Sequence, residues 1–320
     1  GGGKTMEGFE NTIVIKDPTE SFIYVSVNAG DFWNVIDPFG REDDELKKVN
    51  IYGDGKIAIV AQTSWTNTIY LTTDGGINWE EITSDDLPSN PKEIEFASET
   101  VRYLLSTSGD VYKTTDGGDS WSVVLEPQYS SSAITLIEAV SEDDIFAVND
   151  NFINFSNDGG ETWSETYYPL PYGVGTITSI TFIDEEIGYL TSSVFGLLTT
   201  TDGGQTWNVS DVLYHHWFEL KSIAIVGESG VVAVGGNGAI VRFSDYGQSW
   251  EDNIFTGIPF TLNEDIVFFL TSSSIFKMNL ATQELTELNS FWTNSGNREF
   301  VFLTEEIGYA LGDNDELWRT

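Results

Sequence analysis

The sequence predicts an all-β fold, a β-propeller of seven blades with four antiparallel strands each, on three observations. The octet Thr200-Thr201-Asp202-Gly203-Gly204-Gln205-Thr206-Trp207 recurs as Thr72 to Trp79, Thr114 to Trp121 and Ser156 to Trp163. The tryptophans that end these boxes, with Trp250 ending a worn copy, are spaced 42, 42, 44 and 43 residues apart. Each interval holds four short strand candidates rich in β-branched and aromatic residues, and no segment sustains helical periodicity. A period of 40–45 residues with four strands per unit is the arithmetic of a propeller blade.

The clearest unit places strands at Ile177–Ile183, Ile187–Ser192, Gly196–Thr201 and Thr206–Ser210. Units begin near Val49, Ile94, Ile134, Ile177, Ile223, Thr261 and Phe300. Phe182 to Tyr189 reappears, shifted by 120 residues, as Phe302 to Tyr309. The last unit lacks its outer strand, which Thr12–Lys16 or Phe32–Ile36 could supply. A weaker box, Ser26 to Trp33, precedes the first unit, and the N-terminal stretch has more strand candidates than one seam needs. An eighth, partial blade is therefore the alternative. Residues 1–11 are expected to be a flexible tether, and residues 12–320 a single propeller domain closed by its N- and C-terminal strands.

With 40% hydrophobic and 13% aromatic residues, the 320-residue chain can bury a sizeable core. It carries 51 acidic and 14 basic residues, a formal charge of −37. Such a surface repels polyanions, which argues against nucleic acid and anionic lipid and leaves cations, cationic proteins and neutral glycans. The plainest reading of the charge is solvation, or a salty habitat. The absence of cysteine excludes disulfides, thiol nucleophiles and cysteine metal sites. No apolar run approaches the ~20 residues of a membrane helix. Gly1 to Met6 carries no apolar signal segment, so extracytoplasmic placement would require a signal removed upstream.

Each box member has a structural task. The box lies between third and fourth strands, so it is a hairpin turn. Glycine supplies φ > 0, and the aspartate and hydroxyl accept or make local hydrogen bonds. Tryptophan begins the fourth strand, where its ring can be buried against the neighbouring sheet. Asp74, Gly76, Trp79, Asp116, Gly118, Trp121, Asp158, Gly160, Trp163, Asp202, Gly204, Trp207, Asp245, Gly247 and Trp250 are accordingly read as folding elements. One carboxylate per turn falls well short of the 6–8 oxygens that calcium takes. No metal and no cofactor is expected.

The pattern Ser/Thr-x-Asp-x-Gly-x-x-Trp resembles the Asp-box, or BNR repeat, of sialidases, some glucanases and sortilin-like receptors. The whole unit, with an acidic turn, Gly-Tyr, a small strand and Thr-Thr-Asp-Gly-Gly, is most similar to the photosystem II assembly and stability factor family and its bacterial relatives. That resemblance implies a seven-bladed propeller acting as a protein-binding chaperone. The family's partner surface is rich in arginine, whereas this chain has only Arg41, Arg102, Arg242, Arg298 and Arg319.

A sialidase-like site would need three arginines, a Tyr–Glu nucleophile pair and an Asp acid, and the expected Arg-Ile-Pro type motif is missing. Other glycosidases need only two carboxylates about 5–10 Å apart, a pair that sequence cannot select here. Strand parity is more informative. Boxes share a face with the turns joining first and second strands, which are acidic: Asp184-Glu185-Glu186, Ser141 to Asp144, Thr304 to Glu306. The opposite face carries aromatic loops. Trp65, Tyr129, Tyr167, Tyr168, Tyr172, Tyr214, His215, Trp217, Phe291 and Trp292 are the candidate binding residues there, for stacking on sugars or anchoring a protein. The competing reading has these rings cover the blade tops. His215 and His216, adjacent on a strand, point to opposite sides and do not suit one metal. The expected function is a non-catalytic, extracytoplasmic binding or assembly scaffold for a protein or glycan, with a monomeric state. The alternative is a secreted glycoside hydrolase or lectin-like module.

Overall fold

The computed structural model describes residues 5–9, 11–16, 23–28, 31–36, 45–53, 55–62, 67–88, 90–127, 133–149, 152–167, 177–192, 196–209, 220–226, 230–235, 240–244, 249–253, 258–263, 266–270, 275–279, 284–289, 299–302, 308–311 and 317–319. Their regular secondary structure is all strand, arranged as antiparallel meanders in which sequence neighbours pair. Such pairing closes only short loops and so carries little entropic cost.

Eight sheets follow one another among the described residues. The first contains β1 (Thr5–Phe9), β2 (Thr12–Lys16), β3 (Ile23–Ser26) and β4 (Asn34–Ile36). The second contains β5 (Glu45–Gly53), β6 (Lys56–Gln62), β7 (Asn67–Thr72) and β8 (Glu80–Ile82). The third contains β9 (Pro91–Phe96), β10 (Arg102–Ser106), β11 (Val111–Thr114) and β12 (Ser122–Leu125). Next come β13 (Leu136–Ala139), β14 (Asp144–Val148), β15 (Phe152–Asn157) and β16 (Ser164–Tyr167), then β17 (Ile177–Phe182), β18 (Gly188–Ser192), β19 (Gly196–Thr200) and β20 (Asn208–Val209). The sixth sheet has β21 (Leu220–Val226), β22 (Gly230–Gly235), β23 (Ile240–Ser244) and β24 (Ser249–Asn253); the seventh has β25 (Ile258–Asn263), β26 (Ile266–Leu270), β27 (Ile275–Asn279) and β28 (Glu284–Asn289). The last has three strands, β29 (Glu299–Phe302), β30 (Gly308–Leu311) and β31 (Leu317–Arg319).

The chain divides into two compact units, Gly1–Glu126 with Gly296–Thr320, and Pro127–Ser295. In the first unit β1 lies beside both β5 and β29, and β5 lies beside β9. In the second, β13, β17, β21 and β25 are neighbours in that order. First strands side by side, with later strands stepping away from them, are the blade plan of a propeller.

Burial explains why the pattern reads as it does. Second strands are buried on both sides: Ile145 to Val148 of β14 and the whole of β18 are buried. They therefore read as continuous apolar or small residues instead of alternating ones. Fourth strands sit at the edge, and the first two residues of both β8 and β12 are exposed. Apolar layers form between consecutive sheets. In the first unit, Val14, Ile23 and Val25 pack with Val49, Ile57 and Ile59, and Ile69 and Ile82 pack with Ile94, Leu104 and Trp121. In the second, Phe146 and Val148 pack with Ile180, Leu190, Leu198 and Trp207.

The N-terminal segment differs from expectation. Thr5–Phe9, read as part of a tether, is β1 and pairs with Thr12–Lys16. Thr12–Lys16 in turn pairs with Ile23–Ser26, so these strands build a sheet of their own. Each of these strands finds its partner in its sequence neighbour, the local meander pairing that runs through the whole set of sheets. The incomplete sheet is the C-terminal one, β29 to β31. Among the described residues no helix is long and apolar enough to cross a membrane.

Candidate functional site

The boxes are built by one hydrogen-bond pattern, repeated four times among the described residues. The leading hydroxyl donates to the aspartate Oδ1, at 2.8 Å for Thr72–Asp74, 2.7 Å for Thr114–Asp116 and 2.8 Å for both Ser156–Asp158 and Thr200–Asp202. The same hydroxyl oxygen accepts the N–H of Gly76, Gly118, Gly160 or Gly204. Oδ1 also accepts the backbone N–H of the residue four positions on: Asn78, Ser120, Thr162 or Thr206. That residue's side chain donates to Oδ2. The indole N–H of Trp79, Trp121 and Trp207 donates to the carbonyl of the second box glycine, at 3.0, 3.1 and 3.1 Å.

These bonds all favour the ionised carboxylate. Donors on Asn78, then Thr72, hold Asp74 below the usual carboxylate range. Ser120 and Thr114 do the same for Asp116, and Thr162 and Ser156 bring Asp158 down to about 2. At Asp202 burial pushes upward, and the bonds from Thr206 and Thr200 outweigh it. A depressed folded-state pKa means that the unfolded chain binds more protons between about pH 4 and the folded value, so stability falls as pH falls through that window. Asp158→Asn is therefore expected to melt below the native protein at pH 7, with the gap narrowing as pH falls from 4 towards 2. Melting curves at pH 7, 4 and 2.5 test this, and a constant gap would refute it.

The boxes also fix which turns share a face. The first box glycine donates its N–H to the turn between first and second strands of its own sheet: Gly75 to Gly55 O, Gly117 to Thr100 O, Gly159 to Asp143 O and Gly203 to Glu186 O, at 2.8–2.9 Å. Within each of these sheets the box turn and the turn between first and second strands thus lie at the same end, as strand parity requires. The second glycine meets the preceding sheet. A Cβ at Gly118 would lie 3.2 Å from Ile82 Cδ1, and one at Gly204 2.7 Å from Phe146 Cζ.

Three features stand at the box end of the sheets, one in the second unit and two in the first. In the second unit a cleft of about 620 Å3 lies at the ends of β13 and β17, lined by Glu138, Asp184, Glu185 and Glu186 over Val140 and Phe182. In the first unit Arg102 ties two turns together, donating to Gly117 O at 2.7 Å and Glu99 O at 2.9 Å. Its guanidinium lies over Phe96, on which Tyr52 stacks with centroids 3.8 Å apart. Burial pushes the Arg102 pKa down, opposed by Tyr52, Glu80 and Glu99. Lys56 pairs with Glu99 at 3.1 Å, and Lys48 pairs with Glu93. The third feature is apolar: Val27, Phe32 and Ile77, on the turns of the first two sheets, are exposed.

The aromatic candidates of the opposite face lie almost wholly outside the described residues: Trp65, Tyr129, Tyr168, Tyr172, Tyr214, His215, Trp217, Phe291 and Trp292. Tyr167 ends β16, its backbone paired with Phe152. Asp245 and Gly247 also lie outside them, and Trp250 stands in β24 opposite Phe243. Arg102 and Phe32 were not singled out as site residues by sequence reasoning. For Phe32 a signal existed, an aromatic residue inside a worn box where the regular copies have a small polar one.

Repeated four-stranded meanders, four of them braced by an Asp-box among the described residues, define a β-propeller of the BNR class. The chain belongs to the photosynthesis system II assembly factor YCF48 family, whose sequence profile matches residues 19–166 and 161–260. No curated protein matches the chain. Among solved structures it is similar to YCF48 bound to D1 peptide, at 16% identity and a TM-score of 0.58, over 82% of this chain and 87% of that one. YCF48 from Cyanidioschyzon merolae matches at 17% identity and a TM-score of 0.60, over 83% and 92%. The C-terminal WD40 domain of Sif2 matches at 12% identity and a TM-score of 0.66, over 94% and 90%, a likeness of fold alone.

Proposed function

We propose that this chain is a non-catalytic scaffold that binds a protein partner outside the cytoplasm. Membership of the YCF48 family carries the reading, because a member has been solved with a peptide bound. Two features of this chain support it. Its box aspartates are committed to turn hydrogen bonds that lower their pKa, the reverse of what a general acid needs. Its charge of −37 speeds encounter with a cationic partner and repels an anionic one. A chain without cysteine has no thiol that an oxidising compartment would cross-link, which is compatible with placement outside the cytoplasm.

The test presents the purified chain, side by side, to a glycan array and to the secreted and envelope proteins of its source organism, with cross-linking and mass spectrometry. A cross-linked protein is expected, with an affinity that weakens as salt rises from 50 to about 500 mM, as screening of a charged encounter demands. Glycan binding without a protein cross-link, or turnover of a glycoside, would replace this reading with the lectin or hydrolase one.

A further inference from the structure

The first sheet's turn departs from the box in two coupled positions. Asn28 stands where the regular boxes have aspartate, and Phe32 where they have Asn78, Ser120, Thr162 and Thr206. The turn nevertheless keeps its form. Ser26 Oγ donates to Asn28 Oδ1, which also accepts the Phe32 N–H, both at 2.9 Å. In a regular box the side chain at the fourth position serves Oδ2. Asparagine presents an Nδ2 donor in place of Oδ2, so the turn has no carboxylate oxygen for a donor at 32 to serve, and nothing in it calls for a phenyl ring. That ring is 63% exposed.

Phe32 shares its turn with Val27, which reaches the box of the next sheet. Val27 lies against the next sheet's box so closely that a Cβ at Gly75 would overlap its Cγ1. Ile77, two residues beyond Gly75, is 76% exposed. The two sheets' turns are joined by hydrogen bonds: Gly55 N–H donates to Thr12 Oγ1 at 2.7 Å, and Gly75 N–H to Gly55 O at 2.9 Å. Among the described residues five large apolar side chains are exposed, and three of them are on this ledge. Clustered exposed apolar groups mark interaction sites more often than scattered ones do. Asp31 and Asp74 stand on the same two turns, both exposed.

We propose that Val27, Phe32 and Ile77 form a docking surface for a cationic protein segment that presents an aliphatic or aromatic side chain beside lysine or arginine. This rests on the protein-binding reading and adds the surface and the partner's chemistry. Charge complementarity chooses the occupant. An acidic segment is repelled by a −37 chain, whereas a cation beside an anchored apolar group meets Asp31 and Asp74 and can lie over the Phe32 ring.

The experiment is a peptide array of 15-residue sequences that vary independently in Lys/Arg, Asp/Glu and Leu/Phe content. It is probed with the full chain, with Phe32→Ser/Ile77→Ser, with Ile77→Ser alone, and with Val123→Ser as a control exposed elsewhere in the same unit. The native chain and the Val123→Ser control are expected to bind peptides that combine Lys/Arg with Leu/Phe. The double variant is expected to bind them at least tenfold more weakly, at an unchanged melting temperature, and Ile77→Ser to lie between. Equal binding by the native chain and both ledge variants overturns the surface and leaves protein binding standing. A preference for acidic or uncharged peptides overturns the partner chemistry. A native chain that binds no peptide overturns the inference, and if it also cross-links to no protein the protein-binding reading falls with it.

Discussion

Gly204→Ala is expected to destabilise the protein by about 2–5 kcal/mol, and Gly117→Ala by only about 1–2 kcal/mol. Both glycines have φ of +80°, so the left-handed backbone strain imposed on alanine is the same at each. The difference lies in the space that Cβ would enter. At Gly117 the nearest atoms are Arg102 Nη2 at 3.9 Å and Glu99 O at 4.0 Å, an ordinary van der Waals fit. At Gly204 the Cβ would stand 2.7 Å from Phe146 Cζ, and nearer still to Cε1. Phe146 has no room to retreat. It is 1% exposed, stacked on Phe155 at 4.7 Å and Phe182 at 4.4 Å, with the Trp207 edge against it. Overpacking of this kind adds roughly 1–3 kcal/mol to the backbone term. Urea midpoints at constant slope measure both variants. Adding Phe146→Leu to Gly204→Ala should recover part of the loss, a coupling that a pure backbone effect would not show.

This pair also marks what sequence could reach. The box spacing located the turns, and the glycine two positions after the aspartate told of positive φ. That the second glycine faces the preceding sheet was not legible, because Phe146 lies 58 residues earlier and no local pattern links the two. Strand parity placed boxes and acidic turns at the same end of each sheet because each strand reverses direction regardless of side chains. The bonds from Gly159 to Asp143 and from Gly203 to Glu186 are the physical form of that argument. The N-terminal sheet was harder. Thr5–Phe9 contains Gly8 and only two large apolar residues, Met6 and Phe9, so its strand character comes from pairing with Thr12–Lys16 and not from its own pattern. The exposed ledge was hidden for a different reason. An apolar residue in a degenerate repeat reads as decay of the motif until its exposure is known.

Trp207→Ala is expected to cost about 3–5 kcal/mol, more than the same change at Trp79. Trp207 is 5% exposed and meets two aromatic rings edge-on, Phe182 of its own sheet at 6.0 Å and Phe146 of the preceding sheet at 6.5 Å. Such pairs contribute about 0.5–1.5 kcal/mol each beyond area burial. Its N–H also holds the Gly204 carbonyl, which truncation would leave unpaired inside the turn. Trp79 makes the corresponding bond to Gly76 O, but its ring is only half-buried. Trp207→Phe separates the contributions: it keeps most of the apolar packing and loses the hydrogen bond, so a loss of about 1–2 kcal/mol is expected. Native-state hydrogen exchange then decides what the ring does. A clamp between sheets should, when removed, lower protection along β14 as well as β18 and β19. Loss confined to residues 200–207 would reduce Trp207 to a plug in its own turn, and the sheet-to-sheet layer would have to be held by Phe146 and Leu190 without it.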